Sequence, residues 1–160
     1  TMDSPQGASQ TLADAITIVS DAILTLCNPS SAQVVTGGAG TVYDSGGSAG
    51  NYGNNQNCSI LINAPAGQSY IAARFSAFNV EASADFLKIY DGPTSSSPEL
   101  HMGSGVSGTS TPAPVVSFSG QMLLVFTSNA NYNYAGFSSG RVQGLYRFFH
   151  RFASRSHDHG

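Results

Sequence analysis

Charge is what this sequence has least of. Lys, Arg, Asp and Glu make up 9% of its 160 residues, against roughly a quarter in an ordinary soluble domain. Tryptophan is absent, and cysteine occurs only at Cys27 and Cys58. Before residue 141 the only bases are Arg74 and Lys88, too few for a nucleic-acid surface. No Cys-x-x-Cys occurs, so a structural zinc site has no thiolate pair to build on. No apolar run approaches the ~20 residues of a membrane-spanning helix. Strand and helix patterns do not alternate, which argues against a βαβ architecture. The chain starts at Thr1 without a basic, apolar leader, so any secretory leader is expected to have been removed.

What is present fits one extracellular β-domain. Hydrophobic residues make up 41% of the chain, enough for a core. Solubility falls to Ser, Thr, Asn and 18 glycines. An even cysteine count in such a chain favours a disulfide and an oxidising compartment. The charges are unevenly placed. Residues 1–140 are acidic, whereas 141–160 hold Arg141, Arg147, Arg151 and Arg155 against Asp158. Such a tail is either solvated or drawn head to tail to another copy.

Along the chain, residues 12–26 stand apart. Leu12, Ile16, Val19, Ile23 and Leu26 recur at helical spacing and would form one apolar seam. Ile16-Thr17-Ile18-Val19 and Ile23-Leu24-Thr25-Leu26 are equally β-prone. In either form the seam needs another surface to cover it. From Val34 onward short strands alternate with turns. Residues 58–63 place Cys58, Ile60 and Ile62 on one face, and 85–90 place Phe86, Lys88 and Tyr90 opposite Leu87 and Ile89. Glu99–Met102 reads as a short strand, and a last strand runs from about Ala135 to Tyr146. Val115–Phe118 and Met122–Thr127 flank Ser119-Gly120, a hairpin signal. Short strands at ~8–12-residue spacing predict an all-β, two-sheet sandwich.

These pieces fall in a recognisable order. Gly40-Thr41-Val42-Tyr43-Asp44-Ser45-Gly46-Gly47 is followed by Asn51-Tyr52 and Cys58. Then come Phe75-Ser76-Ala77-Phe78-Asn79-Val80-Glu81 and Asp85-Phe86-Leu87-Lys88-Ile89-Tyr90-Asp91-Gly92. Leu124-Val125-Phe126-Thr127-Ser128-Asn129 and Gly136-Phe137 complete the set. The ordered set resembles the CUB domain over about residues 27–146. The resemblance implies an antiparallel, jelly-roll-like β-sandwich and a mostly non-enzymatic, extracellular interaction module. It divides the chain into an N-terminal extension, 1–26, a CUB-like domain, 27–146, and a basic aromatic tail, 147–160.

The resemblance also assigns roles. Cys27 and Cys58 would form the family's first disulfide, closing a loop of about 30 residues and contributing about 3–4 kcal/mol on a loop-entropy account. The positions of the second family disulfide hold Ala82 and Ser104, so the loop around 82–84 is expected to be less constrained. A calcium site would draw on Tyr52, Glu81, Asp85 and Asn129, with Asn131 nearby. Calcium takes six to eight oxygens from carboxylates, amides, carbonyls and water. Asn129 replaces the family's usual third acid, which predicts a weak site. The alternative is that Glu81 and Asp85 are solvated, or that Asp85 bonds nearby backbone. Asp91 reads as a turn residue before Gly92. No feature near these acids supports a paired-carboxylate hydrolase.

Other motifs carry less. Gly136-Phe137-Ser138-Ser139-Gly140 matches a nucleophile elbow, but its all-β context does not provide the strand-to-helix turn. His157-Asp158-His159 is a weak metal motif in a polar tail, and His101 reads as a satisfied side chain. Asn57-Cys58-Ser59 is an N-glycosylation sequon whose use a disulfide at Cys58 would hinder. Tyr132 and Tyr134, alternating with asparagines, either meet a glycan or protein ligand or cap the sandwich end. Phe148, Phe149 and Phe152 form an apolar patch among arginines that needs a docking surface. The function expected first is a secreted, non-catalytic subunit that assembles with copies of itself, into a fibre, through its extensions. The alternative is a calcium-dependent protein- or glycan-binding module.

Overall fold

The computed structural model describes residues 16–17, 22–27, 33–36, 40–68, 70–101 and 105–143. Ten strands make up their regular structure: β1 (Ile16–Thr17), β2 (Ala22–Thr25), β3 (Gln33–Thr36), β4 (Gly40–Tyr43), β5 (Asn57–Asn63), β6 (Ile71–Asn79), β7 (Phe86–Asp91), β8 (Val115–Ser117), β9 (Gln121–Thr127) and β10 (Gly136–Gln143). They form two five-stranded sheets, ordered β1-β3-β5-β9-β7 and β2-β4-β10-β6-β8. The all-β sandwich is therefore as expected.

Alternation builds the sandwich. In β5, Cys58, Ile60 and Ile62 are buried, while their neighbours face away from the core. The same rhythm buries Leu87 and Ile89 on β7, and Met122, Leu124 and Phe126 on β9. Strand β6 breaks the rhythm, since Phe75 and Phe78 are both buried. The cause is a bulge: Ser138 pairs with Ala77 and Ser139 with Phe75, leaving Ser76 over. The extra residue returns Phe78 to the core, where it stacks on Phe137 at 6.2 Å.

Two features differ from the expected antiparallel pattern. The body is antiparallel, but β1–β3, β3–β5 and β2–β4 are parallel pairs. Strand β2 is an edge of its own domain's sheet, with Leu24 and Leu26 buried in that core. The sandwich thus reaches N-terminally past the boundary expected at residue 27. Leu26, assigned by the seam to assembly, is instead an internal core residue. Where residues 16–17 and 22–25 are described, the strand form of the seam is the one adopted.

The expected hairpin at Ser119-Gly120 is a corner instead. Strand β8 pairs with β6 in one sheet, and β9 belongs to the other. The amides of Ser119 and Phe118 donate to the Asp91 carboxylate at 3.0 and 3.4 Å, and the Ser117 hydroxyl donates at 2.7 Å. Asp91 is therefore the clasp that turns the chain between sheets. Burial would raise its pKa, but hydrogen bonds from Ser119, Ser117 and Phe118 outweigh this and hold it below the usual carboxylate range.

The outer edge of β7 is met by residues 98–101 and by Val106. Leu87 and Val106 exchange backbone hydrogen bonds, and Tyr90 bridges Glu99. Within the described part of the expected Glu99–Met102 strand, only that isolated bridge forms. His101 Nε2 accepts the Ile89 amide at 3.1 Å, so the imidazole stands in for a strand carbonyl. Such cover guards an edge strand against pairing with another chain. Cys27 and Cys58 form the expected disulfide, with Cα atoms 5.2 Å apart. It ties the end of β2 to β5 and so staples one sheet to the other.

Candidate functional site

The loops 44–56, 80–85, 105–109 and 128–135 converge through hydrogen bonds, and two buried carboxylates organise them. Asp44, directly after β4, is completely buried. Its Oδ1 accepts the Gly46 amide at 2.8 Å and its Oδ2 the Phe137 amide at 2.7 Å. One side chain thus shapes a turn and fixes the start of β10. Burial pushes its carboxyl pKa up despite these bonds. Gly136, at φ 80°, lies so close that a Cβ there would overlap the Asp44 carboxylate.

Asp85 is the second fully buried carboxylate. Its Oδ2 accepts the Tyr52 hydroxyl at 2.7 Å and its Oδ1 the Asn129 amide at 2.8 Å. The Tyr52 oxygen also accepts the Glu81 amide at 2.9 Å. The ring beneath packs edge-on against Phe126, with centroids 5.0 Å apart. Burial, and then the Asp85 carboxylate, raise the phenol pKa, so Tyr52 stays a hydrogen-bond donor. Glu81 Oε1 is buried without a hydrogen-bond partner among the described residues. Beside it lies a cavity of about 380 Å³, lined by Asn79, Val80, Glu81, Ala82, Gly108, Thr109 and Tyr134.

The loop that lacks the second family disulfide is not left loose. The Ser107 hydroxyl donates to the Glu81 carbonyl at 2.9 Å and accepts the Ser83 amide at 2.8 Å. Val80 and Gly108 exchange backbone hydrogen bonds of 2.9 and 3.0 Å. One serine and one bridge thus restrain the 80–83 loop.

Among the described residues no three His, Cys, Asp or Glu side chains meet. A cation here would depend on two carboxylates and neutral oxygens. The donor chemistry fits calcium, a hard ion that accepts oxygen of any kind. The unpaired Glu81 oxygen is the observation in its favour. Asn129 Oδ1 accepts the Asn131 amide at 2.8 Å and keeps a second lone pair.

The CUB-domain family model matches residues 31–139. The chain belongs to the CUB-domain family. It is 40% identical over 107 residues to multiple epidermal growth factor-like domains protein 8 of Rattus norvegicus, which covers 67% of this chain and 4% of that protein. It is 37% identical over 95 residues to cubilin of Sus scrofa, covering 57% and 2%. Embryonic protein UVS.2 of Xenopus laevis is 36% identical over 98 residues, covering 58% and 18%. The chain therefore spans a small fraction of the length of these relatives. Among solved structures, the CUB1-EGF-CUB2 domain of human MASP-1/3 superposes with a TM-score of 0.58 at 20% identity, over 70% of this chain and 41% of that one. The MASP-1 CUB2 domain bound to Ca2+ gives 0.56 at 20% identity, over 68% and 95%. These likenesses establish the fold. CUB domains are typically non-catalytic binding modules, and this domain, with its disulfide, is extracellular.

Against the CUB frame the expected site residues can be placed. Tyr52, Glu81, Asp85 and Asn129 do come together, with Asn131 one hydrogen bond away. Tyr132 and Tyr134 are exposed on the same rim, at 69% and 39%. Asn57 is exposed at the start of β5. Ile16 lies in β1 opposite Val35, and Ile23 is 70% exposed on edge strand β2. Leu12, Val19, Phe148, Phe149 and Phe152, like His157-Asp158-His159, lie outside the described residues. Ser138 of the apparent nucleophile elbow sits within β10, its hydroxyl 2.9 Å from that of Ser76. Among the described residues no helix is long and apolar enough to cross a membrane. Asp44 and Ser107 escaped the sequence reading. Asp44 followed by Ser-Gly-Gly has the composition of a solvated turn, and Ser107 is one serine among many.

Proposed function

We propose that this CUB domain is a secreted, non-catalytic module that binds a protein partner at a calcium-binding rim. The buried, unpartnered Glu81 oxygen beside the Asp85–Tyr52 pair carries this reading. Glu81, Asp85 and the Asn129 amide oxygen would hold the ion, with water completing its shell. The ion would set a positive charge against Glu81 and Asp85 and fix the Glu81 side chain. Tyr52 and the Asn129 backbone hold Asp85 in place beforehand. An amide in place of a third carboxylate makes the site weak. Self-association through the terminal segments is a second reading, favoured by the exposed Ile23 on an edge strand. Against it, β1 and β2 pair with strands of their own domain.

Thermal melts in millimolar calcium and in chelator test the leading reading. Calcium should raise the melting temperature of the wild type. Binding that raises stability by RT ln(1 + [L]/Kd) gives about 1.4 kcal/mol at a tenfold excess over Kd. Glu81→Gln should abolish the shift while leaving the chelator melt nearly unchanged. An identical wild-type melt in both conditions refutes the calcium reading.

A further inference from the structure

Next to the cleft that Glu81 lines lie two loops with no charged side chain. Neither 48–57 nor 129–135 contains Asp, Glu, Lys, Arg or His. The two loops are fastened together by asparagine side chains. Asn51 Nδ2 donates to the Asn133 carbonyl at 3.3 Å and to Asn133 Oδ1 at 3.1 Å. Asn133 Nδ2 donates to Asn54 Oδ1 at 3.0 Å, and Asn54 Nδ2 to the Ala130 carbonyl at 3.1 Å. The backbone adds Tyr52 N–H to the Tyr134 carbonyl at 3.1 Å and Asn55 N–H to the Asn129 carbonyl at 2.7 Å. The Ser128 hydroxyl donates to the Gly53 carbonyl at 2.7 Å and accepts the Gln56 amide at 3.0 Å. None of these bonds requires an ion.

The lattice leaves capacity unused on its outer side. Asn54 and Asn133 each keep one amide N–H, and Asn51 keeps its Oδ1. The Asn131 side chain makes no hydrogen bond among the described residues. Tyr132, 69% exposed, stands between Asn131 and Asn133 and offers ring and hydroxyl to solvent.

We propose that this asparagine–tyrosine face is a binding site for a neutral glycan. The unused groups are donors and acceptors in mixture, and neither loop holds a formal charge. A sugar hydroxyl is one donor and two acceptors, so it can meet both kinds. An anionic glycan would call for Lys or Arg, and a cationic peptide for Asp or Glu; both loops contain neither. An apolar peptide would call for a desolvated pocket, and this face presents amides. The electron-rich face of Tyr132 suits the C–H face of a pyranose ring. Because the amides already hold one another, little ordering cost remains at binding. Tyr, Asn, Gly and Ser are also the residues that dominate adaptable, polar recognition loops elsewhere. The proposal goes beyond the calcium reading, since no lattice bond involves Glu81 or Asp85.

The test uses the full chain against an oligosaccharide array containing high-mannose, N-acetyllactosamine, sialylated and sulfated glycans, in calcium and in chelator. Hits are followed by ligand-observed NMR. The expected result is binding to one or more neutral oligosaccharides in both conditions, with no gain from sialylation or sulfation. Tyr132→Ala and Asn131→Ala, both exposed, should each weaken binding roughly tenfold without moving the melting temperature. No binding to any neutral oligosaccharide, binding confined to acidic glycans, or full affinity in Tyr132→Ala overturns the proposal. Binding lost in chelator alone overturns its independence from the ion. A failed calcium melt with intact glycan binding would sink the rim reading and leave this one standing.

Discussion

Replacing Tyr52 by Phe removes one oxygen from the centre of the rim and leaves the ring in place. The oxygen serves two groups: it donates to Asp85 Oδ2 at 2.7 Å and accepts the Glu81 amide at 2.9 Å. In the variant Asp85, completely buried, keeps among the described residues only the Asn129 amide as a donor. A hydrogen bond to a charged group contributes about 1.5–3 kcal/mol, and loss of the partner of the part-buried Glu81 amide adds about 1 kcal/mol. The two losses are coupled, since one small movement of the 81–85 loop would relieve both, so about 3 kcal/mol is the expected total. For a domain of this size that is about 10 °C in melting temperature. The contact with Phe126 is retained, so a packing defect does not contribute. The melts should be run in chelator, so that a lost ion is not counted as a lost hydrogen bond. Because burial and Asp85 both raise the Tyr52 pKa, the phenol is protonated throughout pH 6–9 and the loss should not vary there. Tyr132→Phe, at an exposed ring, is the control and should melt within about a degree of wild type. A Tyr52→Phe variant that melts within about 2 °C of wild type would show that the Asp85 pair does not hold the rim.

Two further outcomes follow from the other aspartates. Asp91 has a lowered pKa, so its contribution is complete above the unfolded value of about 3.9 and disappears as pH falls through the folded value. The melting-temperature gap between wild type and Asp91→Asn should therefore narrow below about pH 4, and parallel pH curves would contradict the clasp. Gly136→Ala places a methyl group against the buried Asp44 carboxylate at φ 80° and should cost more than about 3 kcal/mol in a urea titration. A cost under about 1 kcal/mol would mean that Asp44 can move aside.

The strands were legible where one face is buried and alternation is unbroken, as in Cys58, Ile60 and Ile62. The partners of those strands were less so. Leu12 to Leu26 carries both a helical seam and two β-prone runs, and local preference cannot choose between them. The choice is made by β4, whose free edge pairs with Ala22–Thr25 and buries Leu24. Ser119-Gly120 has hairpin chemistry, but Asp91, 27 residues from Phe118, takes the turn amides and sends the chain to the other sheet. The Ser76 bulge is visible in sequence only as a spacing of three between Phe75 and Phe78. At the site, Tyr52, Glu81, Asp85 and Asn129, which the ordered motif set groups, are linked by hydrogen bonds. That set gave no hint that Asp44 is buried or that Ser107 ties down the 81–83 loop, because each is defined by a partner distant in the chain.

The scarcity of charge gives the buried carboxylates their meaning. A chain with so few acids spends Asp44 and Asp85 wholly inside, each holding backbone amides from loops distant in sequence. The rim is thereby ordered by the protein's own anions and does not wait for a cation to order it. Glu81 is the acid of this network whose side-chain oxygen remains uncommitted. On the proposed reading, ion affinity would hang on Glu81, while the shape of the rim hangs on Asp44, Asp85 and the asparagine lattice. The two should therefore be separable by mutation: Glu81→Gln is expected to remove a response to calcium, and changes at Asn51, Asn54 or Asn133 to alter the face next to it.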